Sequence, residues 1–121
     1  MNKLNKRQLG SEWEQKAAEY LTQNGCSIIT ANYRCRLGEI DIIMQDGEYL
    51  CFVEVKYRKS GRYGSAIEAV DYSKQQRIRR AAANYLMTER HTQDIACRFD
   101  VLGFDTDELG NVNISYIKNA F

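Results

Sequence analysis

The chain has 121 residues, with 17 Lys and Arg against 16 Asp and Glu and a formal net charge of +1. That length makes one domain able to build its own core, and 44% hydrophobic with 27% charged residues excludes extensive disorder. The near-neutral balance excludes bulk attraction to nucleic acid, so any such surface must come from local clustering of basic residues.

Residues 1–9, MNKLNKRQL, are polar and basic and read as a flexible arm, solvated or touching phosphate. Ser11 to Gln23 is predicted to be a helix that stops at Asn24-Gly25. Its apolar stripe is Trp13, Ala17, Ala18, Tyr20 and Leu21, and Glu14 lies within that stripe. Two readings of Glu14 stay open: it closes a capping box with Ser11, or it faces a site built elsewhere in the chain. Cys26 to Arg34 follows as a strand with Ile28 and Ile29 at its core. Asn32-Tyr33-Arg34-Cys35-Arg36 interleaves a tyrosine with two arginines, a pattern that suits a phosphate backbone or a solvated strand end.

Two apolar runs come next, Glu39 to Met44 and Leu50 to Lys56, around a polar Gln45-Asp46-Gly47-Glu48. Asp-Gly between such runs predicts an antiparallel hairpin. Alternation along a strand puts Phe52, Glu54 and Lys56 on one face and Val53 and Val55 on the other. Pairing across the hairpin brings Asp41 close to Glu54. Two carboxylates in one apolar setting repel unless something compensates them. A divalent cation does so, and oxygen ligands select Mg²⁺ or Mn²⁺ over zinc. A lysine beside them can polarise water or stabilise developing negative charge. The alternative is a plain cross-strand salt bridge of Lys56 with Asp41 or Glu54.

The basic loop Arg58-Lys59-Ser60-Gly61-Arg62-Tyr63-Gly64 leaves the second run directly after Lys56, as an exposed connection or a nucleic-acid contact. Ser65 to Arg90 is predicted mainly helical, with a break near Asp71-Tyr72-Ser73. Ile78, Ala81, Ala82, Tyr85 and Leu86 mark its buried face, which turns Lys74 and Gln75 inward and Arg77, Arg80 and Asn84 outward. A helix start favours anions, so Lys74 and Gln75 can meet a phosphate or a carboxylate there. Ile95 to Phe104 and Val112 to Ile117 are the last strands, joined by a polar turn over 105–111, and Asp100 is expected to pair with Arg98 or another arginine.

None of the four cysteines forms a C-x-x-C pair and His91 has no ligand-like partner, which argues against zinc. Cys26 and Cys51 read as buried small hydrophobes. No secretory signal, transit peptide or long apolar span is present, so a reducing cytoplasm and no membrane are expected.

The order helix, three strands, helix, two strands, with an acid on the second strand and Glu-x-Lys on the third, resembles the PD-(D/E)xK nuclease superfamily. The match is closer to the YraN-like family of uncharacterised bacterial proteins within it. Glu14 with Ala17-Ala18-x-Tyr20-Leu21, Gly25 and Asn32-Tyr33-Arg34 carry it, as do Gly64, Ala69-Val70, Lys74, Ala82-x-x-Tyr85-Leu86 and Arg98-Phe99-Asp100-Val101. Its most specific parts are Gly38-Glu39-Ile40-Asp41 and Phe52-Val53-Glu54-Val55-Lys56-x-Arg58. Ile40 stands where the superfamily motif has proline, and Trp13 where the family usually has glycine.

The resemblance implies an α/β restriction-endonuclease-like fold, with a mixed central sheet of about five strands flanked by helices, as one domain over 1–121. It implies Asp41 and Glu54 as metal ligands with Glu14 joining them, Lys56 as the catalytic lysine, Gln75 beside the site, and Mg²⁺ or Mn²⁺ as cofactor. Arg34, Arg36, Arg58, Lys59, Arg62 and Lys74 are the candidate nucleic-acid contacts. The expected activity is hydrolysis of DNA, branched or single-stranded, by a chain of a size compatible with a homodimer. Two other functions compete: a non-catalytic nucleic-acid-binding module with the nuclease fold, and a protein-interaction subunit whose acidic hairpin is structural.

Overall fold

The computed structural model describes residues 12–59, 67–91 and 94–121. The predicted basic arm, Ser11, and the loop from Ser60 through Arg62 to Gly64 lie outside the described residues.

A helix α1 (Glu12–Gln23) leads into three antiparallel strands, β1 (Ser27–Cys35), β2 (Gly38–Asp46) and β3 (Tyr49–Lys59). A 3₁₀ turn (Ile67–Ala69) precedes α2 (Tyr72–Tyr85), which runs on through a π-helical turn (Leu86–Arg90). Strands β4 (Cys97–Thr106) and β5 (Val112–Ile117) complete the chain. The sheet order is β1-β2-β3-β4-β5, all antiparallel except β3 with β4, which the crossover through α2 makes parallel. This is an α/β architecture with a five-stranded mixed sheet flanked by helices, consistent with the restriction-endonuclease-like fold.

The hairpin closes where Asp-Gly predicts it, with Gly47 at φ +60° between Asp46 and Glu48. That left-handed conformation is open to glycine at no steric cost. Alternation then sorts the side chains of β3 into two cores. Leu50 and Phe52 pack with Ile78, Ala81, Ala82 and Tyr85 of α2. Cys51 and Val53 pack with Ala17, Ala18 and Leu21 of α1, so one helix covers each face of the sheet. The predicted break before the second helix is a cap: the Asp71 carboxylate accepts the Lys74 N–H at 2.8 Å. Trp13 stacks on Tyr57 at 4.3 Å and tilts against Phe104, tying the start of α1 to the end of β3 and to β4.

A polar cluster holds the hairpin end of the sheet. Arg98 reaches both Asp100, which is fully buried, and Asp46 in the hairpin at 2.7 Å. Tyr116 of β5 donates to the same Asp100 carboxylate at 2.7 Å, and the Asn119 N–H donates to it at 2.9 Å. The expected Arg98–Asp100 pair is therefore present and extends across three strands and the turn after β5.

Candidate active site

The sheet forks where the carboxylates sit. The β2–β3 ladder runs from Asp46↔Tyr49 to Ile42↔Val53 and ends there. Beyond that point Glu54, Val55 and Lys56 pair with Val101, Leu102 and Gly103 of β4, while Glu39 and Ile40 pair with Arg34 and Tyr33 of β1. Side-chain alternation slips at the same place, since Ile40 and Ile43 join the same core although they stand three positions apart, an odd step. Asp41 occupies the opening. Its Oδ2 accepts the Val55 N–H at 2.8 Å, so a side chain replaces the backbone partner that Val55 loses.

Glu54 is 4% exposed, and its Oε2 lies 3.5 Å from Lys56 Nζ and 3.5 Å from Lys74 Nζ. Lys56 comes from two residues further along β3, on the same face, and Lys74 from the first turn of α2. Burial, then the neighbouring Glu54 charge, pushes the Asp41 carboxyl up to about 7; the Val55 N–H opposes this, and Glu14 adds to it. The Glu54 charge acts on Asp41 more strongly than that of Glu14, so Asp41 and Glu54 are neighbours at the fork. Glu14 Oε1 accepts from Asn32 Nδ2 at 3.1 Å. Asn32 holds a left-handed φ of +54°, between the β1–β2 pairs Ala31↔Ile42 and Tyr33↔Ile40. Glu14 therefore faces the fork from α1 and acts on Asp41 through its charge.

The other predicted site residues fall in different places. Gln75 donates from Nε2 to the Val70 carbonyl at 3.0 Å, bracing the turn before α2. Arg58 forms a two-point ion pair with Asp105, at 2.9 and 3.2 Å. Lys59 is exposed at the end of β3, and Arg34 pairs with Glu39 at 3.3 Å. Arg36 and Arg77 are exposed on either side of an open groove that Lys74 also lines. Lys74 points inward as its spacing predicts, and of the phosphate or carboxylate expected at the helix start it meets a carboxylate, that of Glu54, twenty positions back in the chain.

The donor set suits a hard cation. Among the described residues no three His, Cys, Asp or Glu side chains gather as a ready-made metal cage. Two neighbouring carboxylates, one of them pushed up to about 7 by burial and by the other's charge, are what Mg²⁺ commonly uses when waters and substrate phosphates complete its shell. Asp41 and Glu54 are the residues that would hold it, with Glu14 within electrostatic range.

Comparison with known proteins places the chain. The model of the uncharacterised protein family UPF0102 matches residues 13–104. The chain belongs to the UPF0102 family. It is 46% identical over 115 residues to a UPF0102 protein of Nitrosococcus oceani, covering 95% of this chain and 92% of that one. A UPF0102 protein of Actinobacillus pleuropneumoniae is 47% identical over 108 residues, 87% of each chain. A UPF0102 protein of Lachnoclostridium phytofermentans is 45% identical over 118 residues, 98% of this chain and 96% of that one. The matched UPF0102 segment contains every residue of the fork, from Glu14 through Asp41, Glu54 and Lys56 to Lys74. Among the described residues no helix is long and apolar enough to cross a membrane.

Proposed function

We propose that this UPF0102 protein is a metal-dependent nuclease that hydrolyses phosphodiester bonds in DNA. The observation that carries the reading is the placement of Asp41 against Val55, beside the buried Glu54, at a fork in the sheet, with Lys56 3.5 Å from Glu54. Mg²⁺ or Mn²⁺ bound there supplies Lewis-acid polarisation of a phosphoryl oxygen and a water of lowered pKa. The chain's own residues supply position. The Val55 N–H fixes the Asp41 carboxylate in one orientation. Lys56, partly exposed at the rim, stabilises negative charge that builds on the phosphoryl oxygens. Lys74 holds the same Glu54 oxygen from α2, so the carboxylate stays aimed before substrate arrives.

A second reading, a nucleic-acid-binding module without catalysis, draws support from Glu54, whose Oε2 already lies between two ammonium groups. One experiment separates the two. Labelled single-stranded, duplex, flap and four-way-junction DNA are incubated with Mg²⁺, Mn²⁺ or EDTA, using the wild-type chain and Glu54→Gln. Cleavage that needs metal and vanishes in Glu54→Gln is the expected result. Salt-dependent binding without cleavage across the panel transfers the assignment to the second reading.

A further inference from the structure

Beside the fork lies a groove of about 470 Å³ between the β1–β2 turn and the first turns of α2. Arg34 and Arg36 line it from the turn, and Lys74 and Arg77 from the helix. Glu39 is the one carboxylate among its lining residues. Four cations against one carboxylate is a strong local imbalance in a chain whose formal charge is +1. Lys74 is paired with Glu54, and the three arginines are little used inside the protein. The Arg34–Glu39 pair has side chains 74% and 52% exposed, and such a pair in water is worth little. Neither Arg36 nor Arg77 is bridged to a carboxylate among the described residues.

The groove is also built to a fixed width. A Cβ at Gly38 would meet the Arg77 carbonyl oxygen at 2.9 Å, closer than real contacts allow, so the turn and α2 touch backbone to backbone. Lys74 belongs both to this groove and to the Glu54 pair, which sets one wall of the groove beside the carboxylates.

We propose that this groove is the track for the sugar–phosphate backbone of duplex DNA, which it holds to one side of the Asp41–Glu54 site; the identity of the nucleic acid rests on the nuclease reading above. Arginine forks match phosphate oxygens. Among the described residues no aromatic ring lines the groove, so these walls offer an unpaired base nothing to stack on and suit phosphates. Binding there is independent of sequence and favours paired strands, whose bases need no protein partner.

The test is fluorescence anisotropy of labelled DNA in EDTA, where no cleavage is needed, over a salt series. Arg36→Ala combined with Arg77→Ala removes two cations from the groove. Its slope of log affinity against log salt should be shallower than wild type by roughly two, so quadrupling the salt weakens the variant about tenfold less. Arg80→Ala combined with Arg90→Ala, exposed residues outside the groove, should keep the wild-type slope. Gly38→Ala retains every charge and should weaken binding by forcing the walls apart.

An unchanged slope in the Arg36/Arg77 variant overturns the track and leaves the nuclease reading standing. Equal losses in the two double variants show a response to net charge and overturn it as well. Tighter binding of single strands than of duplex overturns the duplex assignment. A wild-type chain that binds no duplex also overturns the track, and the cleavage panel then judges the nuclease reading separately.

Discussion

Replacing Asp41 by asparagine should make the protein more stable at alkaline pH while abolishing cleavage. The folded protein holds the Asp41 carboxyl at about 7, against 3.8 for the group in water. Between those two values the folded chain keeps a proton that the unfolded chain has released, so stability falls as pH rises through that window. A gap of roughly three pH units at about 1.4 kcal/mol each sets a ceiling of about 4 kcal/mol. Asp41 is only half-buried and water screens part of the repulsion, so about 1–3 kcal/mol is the expected loss by pH 8.5. Asparagine has nearly the same shape and its amide oxygen can still accept the Val55 N–H, but it carries no charge against Glu54 and Glu14. Urea melts of both proteins at pH 4, 6, 7 and 8.5 measure the effect. Wild type should lose stability across the series, and Asp41→Asn should be flatter and more stable at the top. Mg²⁺ at pH 8.5 should raise the wild-type midpoint and leave that of Asp41→Asn nearly unmoved. Parallel pH profiles for the two proteins would refute the claim that uncompensated charge is stored at Asp41.

Three further outcomes are expected. Arg98→Met should cost about 3–5 kcal/mol in a urea melt, because it leaves the fully buried Asp100 without its cation. Asp71→Ala should cost about 1 kcal/mol by loss of the α2 cap, read by the same melt. Lys56→Gln should reduce metal-dependent cleavage roughly a hundredfold or more, yet change stability by less than about 1 kcal/mol, since Lys74 still pairs with Glu54 and Lys56 is partly exposed.

What could be read without coordinates was local or repeated at short period. Alternation placed Phe52, Glu54 and Lys56 together, and Asp46-Gly47 set the hairpin that brings Asp41 to Glu54. The helical period of Ile78, Ala81, Ala82 and Tyr85 turned Lys74 inward. Period alone says which way a side chain points and nothing of what it meets, so the Lys74–Glu54 pair waited for α2 to be docked on the sheet. Arg58 is a similar case: its partner Asp105 is set by the parallel register Arg58↔Asp105, a long-range pairing that leaves no local mark. Strand ends shifted for the same reason. β4 begins at Cys97 rather than Ile95 and runs on to Thr106, because pairing with Lys59 and Val112 carries it into residues that read as turn. Glu14 remained ambiguous between cap and site until Asn32, in its left-handed conformation, was found to hold it toward the fork.

The bond from the Val55 N–H to Asp41 has an evolutionary consequence. It makes position 41 part of the sheet's closure as well as of any chemistry. On the proposed nuclease reading, a descendant of this chain without hydrolysis would be free to lose Lys56, whose removal is expected to leave the architecture intact. It would still need an oxygen acceptor at 41 to close the split between the strands. Aspartate or asparagine at that position would therefore mark the scaffold, and on the proposed nuclease reading the lysine two residues past the glutamate would be the better sign of hydrolysis.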